Sequence, residues 1–290
     1  MAMRPTYLPP KRSAAITVLV SAALAGVLSA AYAAVSAPSP APADLVFASD
    51  RDGDSEVYAM RTDGRLQRRL TVNPAADVDP AISPTGLIVF ASDRAGSFDL
   101  YAMSPQGHSA TRLTHLPGDE RGPAFSPDGS QIAFAHEGDV FVMSAHGRHL
   151  RNVTRHPADD ADPTWSPDGR HLAISSDRGG SREIFVMRLG HRRAAAITRS
   201  GGNSAPDWSP TGELIAFEHG ADVHVVSAAR GSERLVATGK SAPAFSPAGS
   251  ELAVADGRDV VRVSLGGELV ANLSFSAAID GAPDWRGGSR

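Results

Sequence analysis

Residues 163–178 read PTWSPDGRHLAISSDR. An aromatic residue, a Ser-Pro-Asp-Gly turn, an apolar run and a Ser-Asp-Arg loop follow one another without interruption. Pro in the second turn position presets φ and Gly closes the turn, so the stretch predicts two antiparallel strands joined by a type I-like hairpin turn. The same order recurs at Pro80-Ala-Ile-Ser-Pro-Thr-Gly86, Pro123-Ala-Phe-Ser-Pro-Asp-Gly129, Pro206-Asp-Trp-Ser-Pro-Thr-Gly212 and Pro243-Ala-Phe-Ser-Pro-Ala-Gly249. A shortened copy, Pro283-Asp-Trp-Arg-Gly-Gly288, comes last, and successive copies start 37 to 43 residues apart. Short apolar runs at a period near 40 predict propeller blades of four strands each.

Each copy continues alike. A run such as Leu87-Ile-Val-Phe-Ala91 or His171-Leu-Ala-Ile-Ser175 is apolar on both faces, which suits a strand sandwiched between neighbouring blades. A third strand follows, such as Asp99-Leu-Tyr-Ala-Met103 or Glu183-Ile-Phe-Val-Met187. A more polar fourth strand ends near Leu-Thr, as at Arg112-Leu-Thr114, and reads as the outer edge. Residues 45–71 form a blade without its first strand, and residues 283–288 are a first strand without its blade. Joined, they predict an all-β, six-bladed β-propeller whose C-terminal strand closes the ring on the N-terminal blade. Such closure removes free sheet edges.

These repeats, Trp/Phe-Ser-Pro-Asp-Gly followed by Ser-Asp-Arg and an Asp-Ile-Tyr-Val-Met-like strand, resemble the WD40-like repeats of the TolB-type six-bladed propellers. The resemblance covers about residues 44–288. It implies a propeller that binds partner proteins, here without the N-terminal α/β domain of the periplasmic TolB protein.

The first forty residues differ from the rest. Three basic residues and no acid lie in 1–12, an uncharged Ala/Val/Leu-rich run fills 13–33, and Ala31-Tyr32-Ala33 fits a signal-peptidase site. The expected organisation is a signal peptide at 1–33, an Ala/Pro-rich linker at 34–43 and the propeller at 44–290. Sec export to the periplasm or extracellular space follows, with a retained membrane anchor as the alternative. Without Cys there is no lipoprotein attachment, no thiol nucleophile and no Cys-based zinc site. Loss of the three basic residues in 1–33 takes the formal charge from −4 to −7. That balance argues against a nucleic-acid partner.

The aromatic positions Phe125, Trp165, Trp208, Phe245 and Trp285 read as packing residues. Asp50, Asp93 and Asp177, each followed by Arg, read as loop-fixing residues. The candidate binding residues stand three positions before each recurring Pro: Asp77, Glu120, Asp160, Asn203, Lys240 and Asp280. Asp79, Asp119, Asp159 and Asp162 add charge beside them. Loops at these positions cluster round one mouth of a propeller channel, so the column predicts a negative funnel for a cationic group, a basic segment, or Ca2+ or another divalent ion. The plainer alternative is that each acid serves only its own turn.

No Gly-x-Ser-x-Gly elbow and no His-Glu-x-x-His is present. His146 with His149 and His219 with His224 are the weak metal candidates. The sequence therefore predicts a non-catalytic, exported, monomeric module with no required cofactor, binding an envelope or extracellular protein or a small cationic ligand. The alternative is a metal-dependent hydrolase or lactonase with its site in the central channel.

Overall fold

The computed structural model describes residues 44–287 except 192 and 230. The expected signal and linker, 1–43, lie outside the described residues. Twenty-four strands make six four-stranded antiparallel sheets. The chain opens with β1 (Leu45–Ser49), β2 (Glu56–Met60) and β3 (Arg68–Arg69). The second blade is β4 (Asp77–Ile82), β5 (Ile88–Ser92), β6 (Asp99–Met103) and β7 (Thr111–Arg112). The third is β8 (Glu120–Phe125), β9 (Gln131–His136), β10 (Asp139–Ser144) and β11 (Arg151–Asn152). The fourth is β12 (Asp160–Trp165), β13 (His171–Ser176), β14 (Glu183–Arg188) and β15 (Ala194–Ala196). The fifth is β16 (Asn203–Trp208), β17 (Leu214–His219), β18 (Asp222–Ser227) and β19 (Arg234–Thr238). The sixth is β20 (Ser241–Phe245), β21 (Glu251–Ala255), β22 (Val260–Ser264) and β23 (Leu269–Asn272), followed by β24 (Asp280–Trp285).

β24 pairs with β1 and completes the first blade, with Leu45 opposite Trp285 and Ser49 opposite Asp280. This is the closure expected from the split copy. No helix is present among the described residues, so none is long and apolar enough to cross a membrane.

The core lies between blades. Val46, Val57 and Leu70 of the first blade pack with Ile88, Phe90 and Tyr101 of the second. Leu45, Phe47 and Trp285 pack on the other side, with Ala253, Val260 and Leu273 of the sixth. Alternate residues of β1 thus enter different interfaces, which is why the middle strands are apolar on both faces. Four further clusters join the remaining successive pairs.

Two devices recur among the blades. In the Ser-Pro-x-Gly turn the glycine N–H donates to the serine carbonyl, as from Gly169 to Ser166 at 2.8 Å. The Ser166 hydroxyl accepts from His171 N–H at 2.9 Å and donates to Asp168, which holds that carboxyl below its usual range. In the Leu-Thr element the threonine hydroxyl accepts a third-strand N–H where the outer strand has ended. Val57 donates to Thr71, Leu100 to Thr114, Val140 to Thr154 and Ile184 to Thr198, at 2.8–3.0 Å. A fully buried amide would otherwise lack a partner.

Candidate functional site

The first strands, β24, β4, β8, β12, β16 and β20, surround the central channel. Each carries a β-bulge at the same place, and the residue before Pro has positive φ: Asp79, Gly122, Asp162, Ala205, Ala242 and Ala282, at 46–57°. Left-handed geometry at an Ala or Asp costs energy, and its recurrence in every blade means the fold enforces it. The bulge changes which side chains face the channel. Residues before it lie in the seams between blades; those from the bulge onward line the opening.

The column predicted from sequence falls on the seam side. Asp77, Glu120, Asp160, Asn203 and Asp280 have no solvent exposure, so they do not form an open acidic funnel. Asp77 accepts two bonds from Arg94 at 2.9 Å, and Asp160 accepts two from Arg178 at 2.7 Å. Asp280 pairs with Arg51 at 2.8 Å. Asn203 donates to Glu183 at 2.7 Å. Glu120 lies 3.3 Å from His136. Lys240 is half-buried just before β20.

This geometry explains the Ser-Asp-Arg loop. The Arg94 guanidinium binds Asp77, takes its Nε–H bond to Ser92 and lies 4.6 Å from the Tyr101 ring centroid. Arg51 repeats the arrangement with Ser49, Asp280 and Tyr58. The intervening aspartates fix loops, as expected: Asp93 accepts from Ala76 N–H and Asp50 from Ile279 N–H. The partner of the arginine is the seam acid, not the adjacent Asp.

The channel holds a different set of acids within an open cavity of about 1110 Å³. Asp79 at the bulge accepts from Arg121 at 2.6 Å and from Gly122 N–H at 3.2 Å. Asp162 accepts from the Ser175 hydroxyl at 2.7 Å and from Ala205 N–H at 3.3 Å. One position beyond the recurring Pro stand Asp207 and Asp284. Asp207 accepts from Phe245 N–H and Asp284 from Ile82 N–H, both at 2.7 Å, each reaching into the next blade. Protein surrounds both carboxyls, yet each keeps part of its surface open to the channel. Burial pushes both up to about 7, and the Asp207 charge adds to the rise at Asp284. The equivalent residues elsewhere are Ala81, Ala124, Thr164 and Ala244.

The aromatic positions are packing residues, as expected. Trp165 and Trp285 are nearly buried, and their indole N–H groups donate to the carbonyls of Ala124 and Ala244 in the preceding blade. Their edges line the channel with Trp208 and the prolines.

The family model of the TolB beta propeller domain matches residues 11–120 and 113–241. The chain belongs to this family. Among solved structures, TolB from Acinetobacter baumannii is similar at 22% identity and a TM-score of 0.74, covering 84% of this chain and 67% of that one. A putative TolB from Agrobacterium tumefaciens is similar at 20% identity and 0.65, covering 83% and 91%. A chain of the nidogen/laminin complex reaches 0.70 at 12% identity, covering 83% and 97%. At these identities the likeness concerns the fold. Nothing matches among curated proteins.

Within this TolB-type channel no group of three or more His, Asp or Glu among the described residues is placed to hold a metal ion. His219 and His224 pack edge to face, with ring centroids 5.2 Å apart. His146 and His149 are exposed on the hairpin after β10. The arrangement can accept hydrogen bonds or a positive charge at Asp207 and Asp284, against aromatic and proline walls.

Sequence reasoning named Asp79 and Asp162 only as neighbours of the column and missed Asp207 and Asp284. A signal was present. Pro-Asp-Trp occurs in two copies where the others have Ala or Thr, a polar residue in a column otherwise small.

Proposed function

We propose that this chain is an exported, non-catalytic binding module of the cell envelope or extracellular space. Its channel receives a segment of a partner protein carrying a cationic or hydrogen-bond-donating group. One observation carries the reading: two carboxyls line an open channel walled by Trp and Pro, in a column where the other blades have Ala or Thr. Rigid aromatic walls with a few placed polar groups are the usual composition of a binding cleft. Export rests on the basic start, apolar run and Ala31-Tyr32-Ala33 of the sequence. TolB-family membership supports a protein partner over a substrate.

The test is capture of partners from a native envelope fraction by the tagged mature chain, beside Asp207→Asn/Asp284→Asn. Loss of a specific partner from the double variant, with folding intact, is the expected result. Equal capture by both forms refutes the channel as the site.

A further inference from the structure

In three blades the buried first-strand acid is bound in the same way by an arginine of its own blade. Arg51 binds Asp280, Arg94 binds Asp77 and Arg178 binds Asp160. Each guanidinium places a full positive charge against a carboxylate that has no contact with water. The third blade departs from this pattern. Where those three blades write Ser-Asp-Arg, it writes His136-Glu137-Gly138, and its seam acid is Glu120. No arginine takes the clamp position there.

Glu120 is fully buried, and neither of its carboxyl oxygens has a hydrogen-bond partner. Asp99 of the second blade is also fully buried, and its Oδ2 has no partner either. Asp99 Oδ1 accepts from Arg112 Nη2 at 2.7 Å, while the buried Nε–H of Arg112 has no hydrogen-bond partner. The Thr114 hydroxyl oxygen accepts from Leu100 N–H at 2.8 Å. From the third blade, His136 Nδ1 lies 3.3 Å from Glu120 Oε1 and 3.4 Å from the Asp119 carbonyl. Its Nε2 lies 3.9 Å from Glu137, which is exposed. Two buried carboxyls therefore face one fixed cation. A bare second carboxylate there would be an unpaired buried charge, which proteins avoid by neutralising the group.

We propose that the seam between the second and third blades is closed by a proton held on Glu120 and shared with Asp99. The proton does for Glu120 what Arg51, Arg94 and Arg178 do for their buried acids. It supplies a donor between two carboxyls and removes the excess negative charge. The seam takes up one proton when it forms and loosens when that proton leaves. The rise in Glu120, to about 7, agrees in direction; burial is its main cause, and Asp99 adds to it while Thr114 and Arg112 oppose it. An acid raised on folding contributes stability below its unfolded value and loses it as pH rises through its folded value. This seam therefore weakens as pH rises from about 4.5 through about 7.

The experiment is equilibrium unfolding of the full chain in urea across that pH range, for wild type and Glu120→Gln. Glutamine reproduces the neutral acid without a proton to lose. The wild-type unfolding constant should rise with pH, with this group contributing on the order of a hundredfold. Glu120→Gln should lose about one proton from the linkage slope and equal or exceed wild type near pH 8. An unchanged slope overturns the proposal. Infrared titration of Asp207→Asn/Asp284→Asn provides a second readout should Glu120→Gln not fold. With the channel acids removed, a protonated-carboxyl band that disappears near pH 7 supports the seam proton, and its absence overturns it.

Discussion

Truncation before Asp280 removes β24 and opens the ring. The loss can be worked from the contacts. Trp285 is 6% exposed and packs with Leu45, Phe47 and Leu273. A buried Trp covers roughly 200 Å², worth about 5 kcal/mol at about 25 cal/mol per Å². The truncation also removes the Arg51–Asp280 pair, the Asp284 bond to Ile82 N–H and the indole bond to Ala244. At a net of about 1 kcal/mol each, these add about 3 kcal/mol. The total is about 8 kcal/mol before the β1–β24 ladder bonds are counted, and burial retained in the unfolded chain lowers the Trp285 share. It is comparable with the whole stability of an ordinary domain, about 5–15 kcal/mol. Urea unfolding and thermal melting of the full and truncated chains provide the assay. The truncated chain should melt early, in a broadened transition, because β1 becomes a free apolar edge. An identical midpoint and slope would refute closure by the C-terminal strand.

Asp207→Asn/Asp284→Asn keeps the side-chain carbonyls that accept from Phe245 and Ile82 but removes the ionisation. Both acids are raised from 3.8 to about 7 by burial, so wild type loses stability as pH climbs between those values. The double variant should therefore gain on wild type over that range, measured as a difference in melting temperature that widens from acid to neutral pH. Arg178→Gln leaves Asp160 buried without its bidentate partner and should cost about 3–5 kcal/mol in urea unfolding; adding Asp160→Asn should recover much of it. Gly107→Ala should lower the melting temperature. Its φ is +83° and an added Cβ would lie 2.7 Å from the Leu70 carbonyl oxygen, backbone that cannot swing aside.

The architecture was readable in the sequence because each of its signals is local and repeated. Ser-Pro-x-Gly places a hairpin, and a run apolar on both faces places a strand between blades. The incomplete copies at 45–71 and 283–288 imply each other. The Leu-Thr element was read only as the end of an edge strand. Its purpose, a hydroxyl that accepts a third-strand N–H, joins residues fourteen apart across a hairpin, such as Val57 and Thr71, and the recurring Thr does not by itself show which N–H it meets.

The channel was harder to read for one physical reason. Assigning Asp77 to the mouth placed it in a loop before the first strand, whereas β4 already begins at Asp77, and side chains along a strand alternate faces. The bulge between Val78 and Ala81 inserts a residue and breaks that alternation. Asp77 consequently meets Arg94 in the seam, while the residue two positions on opens to the channel. Applied to every copy, the same shift moves the acidic column out of the opening and brings the positions around the recurring Pro into it. That exchange gives the charges separate duties. Acids before the bulge are buried, and Asp77, Asp160 and Asp280 are each matched with an arginine of their own blade. Asp207 and Asp284, beyond it, keep some open surface and have no ion partner, and burial raises both to about 7, a kind of perturbation that clusters at functional sites.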